Sequence, residues 1–135
     1  MGALIDSSVL IAADRGRLDL TQLAAQYAQE TLAISAVTAS ELLYGVYQAL
    51  TPARRAKRQA FVEGLLASMP VLPFDLTAAR FHAELWARLA RKRSQIGELD
   101  SMIGATALAW DLAVITCDGR SLSRIPGLRV ALLKN

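Results

Sequence analysis

Two hydrophobic periods alternate along this chain. Short continuous apolar runs occur at Ala3-Leu4-Ile5, Thr31 to Ser35, Val71 to Phe74, Ala113 to Thr116 and Arg129 to Leu133. Bounded by polar or turn-forming residues, such runs predict buried strands. Between them, apolar residues recur every three or four positions, the spacing of a helix packed on one face. Helices are expected at 18–28 (Leu20, Leu23, Ala24, Tyr27 and Ala28), at 37–50 (Leu42, Leu43, Val46 and Tyr47), at 51–68, at 77–91 (Ala78, Phe81, Leu85 and Leu89) and at 98–110. Thr51-Pro52 is a strong start signal, with a capping hydroxyl followed by proline at the first helical position. Pro73 lacks an N–H to donate, so the run from Val71 is expected at a sheet edge.

Strands alternating with helices predict an α/β fold of three layers, α/β/α, around a central, mainly parallel sheet. Such a sheet gathers the carboxyl ends of its strands along one edge, where ligands of open α/β proteins bind. No internal repeat, linker or low-complexity tract divides residues 1–135, so a single domain is expected.

Composition narrows the class. The chain has 135 residues, 53% of them hydrophobic, which excludes a disordered polymer. No uncharged apolar run approaches the roughly 20 residues of a membrane span. The N-terminal apolar run lacks the basic flank of a signal peptide, and a cytoplasmic protein is expected. Cys117 is the sole cysteine, so no intrachain disulfide can form, as suits a reducing compartment. The net charge is +3, and 12 of the 15 basic residues are Arg, a balance compatible with a polyanionic partner without requiring one.

Four carboxylates stand just after a predicted strand or near a predicted helix start: Asp6, Glu41, Asp100 and Asp118. Each has an ordinary explanation. Asp6 can cap a helix, Glu41 follows Thr38 at capping-box spacing, Asp100 suits a helix dipole, and Asp118 precedes Gly119 in a turn. Together at one buried edge they would repel, and a hard divalent cation resolves that conflict. Oxygen ligands without His or Cys favour Mg²⁺ or Mn²⁺ over zinc. The placement of Asp100 is the least direct step, because its helix precedes the strand beside it.

Four blocks stand in order along the chain: Leu4-Ile5-Asp6-Ser7-Ser8, Ser40-Glu41-Leu42-Leu43-Tyr44-Gly45, Asp100-Ser101-Met102-Ile103-Gly104-Ala105-Thr106-Ala107, and Thr116-Cys117-Asp118 with Ile125-Pro126-Gly127-Leu128. In these blocks the chain resembles PIN-domain nucleases of the VapC-like toxin type. The resemblance runs nearly end to end. It implies a PIN-like fold and a catalytic, metal-binding set of Asp6, Glu41, Asp100 and Asp118, with Ser8 at a position that is commonly small and polar. It also implies one or two Mg²⁺ or Mn²⁺ ions, RNA as substrate (often a structured one such as tRNA), and products with a 5′-phosphate and a 3′-hydroxyl. The partners it implies are a cognate antitoxin and a second copy of the chain, and the helix bearing Tyr44 and Tyr47 and the basic helix after Pro52 are candidate surfaces for them. Two departures stand out: Ser121-Leu122 replaces an acid and Phe found in many relatives, and Gly104 stands where Ala is usual.

The expected function is therefore metal-dependent endoribonuclease action by the toxin of a toxin–antitoxin pair. Asp6 and Asp100 are the expected direct ligands, Asp118 a ligand directly or through water, and Glu41 a ligand or a general base. Arg120 and Arg124, which follow Asp118 closely, are candidate substrate contacts together with Ser8. The basic runs Arg54-Arg55, Lys57-Arg58 and Arg91-Lys92-Arg93 read as solvated faces. His82 reads as a surface or packing residue, and Trp86 and Trp110 as core or interface. Receiver and haloacid-dehalogenase-like phosphatase readings fail: the first wants paired acids by the first strand, the second an Asp where Ser8 stands. The alternatives are a PIN-like binding module without catalysis and a nuclease preferring DNA.

Overall fold

In the computed structural model, which describes residues 2–134, β1 (Gly2–Ile5) is buried along its whole length and lies at the centre of the sheet. It pairs in parallel with β2 (Thr31–Ser35) on one side and β4 (Ala113–Thr116) on the other. The edges are β3 (Val71–Leu72), paired with β2, and β5 (Val130–Leu132), paired with β4, so the order is β3-β2-β1-β4-β5 and every pairing is parallel. The chain leaves β1 in one direction to build β2 and β3, then returns to build β4 and β5. The switch of direction therefore lies between β1 and β4, where a crevice opens beyond the strand ends.

Strand alternation assigns the two cores. Ala3 and Ile5 face one cluster with Val9, Leu10, Leu42, Val46, Val62 and Leu65, beneath α1 (Ser7–Asp14), α2 (Leu20–Gln26), α3 (Ala36–Tyr47) and α4 (Pro52–Ser68). Leu4 faces the other with Leu85, Leu89, Ala107 and Val114, beneath α5 (Leu76–Arg91) and α6 (Glu98–Ala109). The expected three-layer α/β/α architecture is what forms.

Helix starts follow side-chain caps. Asp19 accepts from the N–H of Thr21 at 2.8 Å, Ser35 from Thr38 at 2.9 Å, Thr51 from Arg54 at 3.1 Å and Asp75 from Ala78 at 3.0 Å. These caps set α2 later, and α3 and α5 one residue earlier, than hydrophobic spacing alone predicts. They also remove the capping-box reading of Glu41: Ser35 is the cap, and Thr38 lies buried inside the first turn. Two apolar expectations need correction: Tyr47 is 73% exposed and Phe81 40%, because each lies at the margin of its helix's buried stripe. Trp86, expected in the core or at an interface, is 68% exposed and so lies outside the core. No helix among the described residues is long and apolar enough to cross a membrane.

Candidate functional site

Asp6 occupies the N-cap position of α1 with extended backbone, yet its side chain makes no capping bond. It turns instead toward the end of β4. Parallel register matches Ile5 with Ile115, which sets Thr116 beside Asp6. Asp6 Oδ2 accepts from Ser8 Oγ at 2.7 Å and from Thr116 Oγ1 at 2.8 Å. Each hydroxyl is itself held by a backbone donor: Cys117 N–H reaches Ser8 Oγ and Asp118 N–H reaches Thr116 Oγ1, both at 3.0 Å. Asp6 is only 5% exposed, and its Oδ1 takes no donor from the described residues. The carboxylate is thereby fixed through one oxygen while the other stays open.

Glu41 arrives from α3 and Asp100 from the first turn of α6, both half-buried. Burial is the main cause that raises the Glu41 carboxyl above its ordinary value; the Ser7 hydroxyl pulls it down, and the charges of Asp6 and Asp100 push it up further. Asp100 is raised likewise by burial first and then by Asp6, with Ser121 opposing and Asp118 adding a smaller push. The three acids thus share one field at one sheet edge. Glu41 Oε1 is buried and has no hydrogen-bond partner, an arrangement that costs free energy unless something electropositive joins it.

Asp118 stands apart. It is exposed, and Arg120 grips it with Nε at 2.9 Å and Nη2 at 2.8 Å while the Arg120 N–H adds a third bond at 3.2 Å. Those hydrogen bonds hold its carboxyl at about 2, below the ordinary 3.8. The turn reading of Asp118 is therefore correct as far as it goes. Among the described residues, no three His, Cys, Asp or Glu side chains converge into a closed metal cage. The donor set nevertheless fits a hard divalent cation, with Asp6 Oδ1 open, Glu41 Oε1 orphaned and Asp100 raised by burial and then by the charge of Asp6.

The basic residues divide by contact. Arg58 bonds Gly45 O at 3.1 Å and pairs with Asp14 at 3.4 Å, and Arg55 reaches Tyr47 O at 3.4 Å, so both tie α4 to its neighbours. Arg124 Nη1 donates to Gln95 O at 2.9 Å and pins the 92–97 loop. His82 packs edge-on to Phe74 and bonds Ser101 Oγ at 3.1 Å. Reasoning from sequence gave Thr116 no role, although a hydroxyl ending a strand parallel to the one that delivers Asp6 was a readable signal.

Residues 3–128 match the PIN domain family. The chain is 38% identical over 99 residues to the tRNA(fMet)-specific endonuclease VapC of Salmonella typhimurium, 73% of each chain. It is 33% identical over 130 residues to Ribonuclease VapC1 of Rickettsia felis, covering 96% of this chain and 95% of that one. Among solved structures, a member of the VapBC family of toxin–antitoxin systems, VapBC-5 from Mycobacterium tuberculosis, superposes with a TM-score of 0.75 at 31% identity over 100% of both chains. The chain belongs to the PIN domain family and, within it, to the VapC proteins.

Proposed function

We propose that this chain is a Mg²⁺- or Mn²⁺-dependent endoribonuclease and the toxin of a toxin–antitoxin pair, cleaving RNA at the edge bearing Asp6, Glu41, Asp100 and Asp118. The observation that carries this reading is Asp6, anchored through Oδ2 by Ser8 and Thr116 with Oδ1 taking no donor, its charge felt by Glu41, whose buried Oε1 has no partner. Relatives called ribonuclease and tRNA(fMet)-specific endonuclease support RNA as the substrate class.

Asp6 and Asp100 would hold the cation, with Asp118 as a further ligand if its carboxylate were freed from Arg120. A divalent cation there supplies Lewis-acid activation of water and offsets charge developing on the phosphate. Glu41 accepts the proton of the attacking water through Oε1. Its raised carboxyl lies nearer neutrality than an ordinary glutamate's, which suits a general base. Arg120, released from Asp118, meets a phosphate oxygen. Ser8 orients Asp6 rather than touching substrate.

A solved toxin–antitoxin relative supports a cognate antitoxin as partner. Tyr44 and Tyr47, 65% and 73% exposed on α3, supply apolar surface for the antitoxin or for a second copy of this chain. The test is incubation with total RNA and single-stranded DNA, with Mn²⁺ or Mg²⁺ and with EDTA. Metal-dependent RNA cleavage supports the reading; cleavage of DNA alone, or binding without cleavage, contradicts it.

A further inference from the structure

A cavity of about 480 Å³ lies between the second half of α5, the 92–97 loop and the first turn of α6. None of the four acids lines it. It adjoins them through α6, because Ser101 is in its wall and Asp100 is the preceding residue, about 100° around the same helix. The volume falls within the range of small-ligand pockets.

The walls are specific. Trp86 offers a ring 68% exposed, tilted against His82 at a centroid distance of 5.9 Å. Ser101 Oγ gives its hydrogen to Glu98 O at 2.6 Å, so it accepts from His82 Nε2–H at 3.1 Å. That bond fixes the imidazole plane, and with it the shelf on which Trp86 leans. Ser94, Gln95 and Glu98 add polar groups to the lining. The loop carrying them is held: Arg93 adopts a φ of 53°, Ser94 N–H bonds Leu89 O at 2.9 Å, Ile96 packs on the core, and Arg124 grips Gln95 O. Arg91, Lys92 and Arg93 give the loop's start a positive charge.

From this we infer that the cavity is a nucleobase pocket: an unpaired RNA base near the scissile phosphate stacks on Trp86 and presents an amino-bearing edge to Glu98. An aromatic face accepts any base, and a carboxylate favours one with an exocyclic amino group, cytosine, adenine or guanine, over uracil, which has none. This inference rests on the ribonuclease reading and adds base selection to it.

Two measurements test it separately from that reading. Wild type, Trp86→Ala and Glu98→Gln are each given a randomised RNA library with Mn²⁺, and the bases around every cut are sequenced. In parallel, RNA carrying 5-iodocytidine is irradiated with each protein in EDTA and adducts are mapped by mass spectrometry. Wild type should enrich an amino-bearing base at one fixed position. Both variants should flatten that enrichment on the order of ten-fold while still cutting, and the adduct should map to Trp86 or His82. An unchanged base profile in both variants overturns the inference, as does an adduct confined to other residues. A change in oligomeric state with an unchanged profile overturns it too, assigning the cavity to a second copy of the chain. A wild type that cuts nothing yet cross-links at Trp86 sinks the nuclease reading and keeps the pocket.

Discussion

Thr116 Oγ1 donates to Asp6 Oδ2 at 2.8 Å, across 110 residues of sequence, and couples the ends of the two central strands. Through the Asp118 N–H that it accepts, the same hydroxyl ties the first acid of the chain to the backbone of the last. Thr116→Val keeps the shape and removes both bonds. It should lower RNA cleavage by roughly 10–100-fold, the usual cost of losing a group that orients a metal ligand. Stability should fall by about 1–2 kcal/mol as a buried acceptor loses a donor. Thr116→Ser should retain most of both. Cleavage rates and denaturant unfolding of the two variants check this.

Glu41 and Asp100 predict a stability gain where function is lost. Both carboxyls are raised on folding, chiefly by burial. Their contribution to stability is intact below the ordinary values of 4.5 and 3.8 and is lost as pH rises through the raised ones. At neutral pH the metal-free protein should therefore be stabilised by Glu41→Gln, with a Tm above that of wild type. The gain should vanish on acidification. Thermal melts of wild type and variant in EDTA, across pH, measure it. A neutral-pH Tm at or below wild type would show that Glu41 is not under strain.

Asp118 behaves in the opposite sense. Its carboxyl is held at about 2 by Arg120, so Arg120→Ala should return it toward 3.8. Carboxyl-carbon NMR titration reads this directly. Mn²⁺ should bind the variant at least as tightly as wild type, because the cation no longer competes with a guanidinium. Weaker Mn²⁺ binding would instead give Arg120 a positive role at the metal site.

Gly104 tests the packing of α6. A Cβ at this position would collide with Cδ1 of Ile125, which is 3% exposed and has little room to move. Gly104→Ala should cost about 1–3 kcal/mol by overpacking, less any gain in helix propensity. Chemical denaturation gives the value. A neutral result would mean that the 122–125 turn yields.

Most of the fold was legible because its signals are local. β2 and β4 occur where their apolar runs lie, and α4 begins at Thr51-Pro52. Helix ends depended on caps that hydrophobic spacing does not show, such as Asp19 and Asp75. The 3-10 turn at Leu122–Arg124 carried no periodic signal at three residues. At the site, Asp6, Glu41 and Asp100 could be nominated from position, but the roles of Thr116 and Arg124 could not. Both depend on contacts between segments far apart in sequence, fixed only once the sheet register and the loop path are known.

Asp6 is the residue on which the proposed metal-dependent site stands or falls. Asp6→Asn keeps the size of the side chain and can still accept from Ser8 and Thr116, so the fold should survive. The decisive measurement is cleavage of total RNA by wild type and Asp6→Asn, each with Mn²⁺ and with EDTA, alongside circular dichroism of both proteins. Only wild type with Mn²⁺ should cut, and the two spectra should match. Full Mn²⁺-dependent cutting by a folded Asp6→Asn protein would contradict the proposed site.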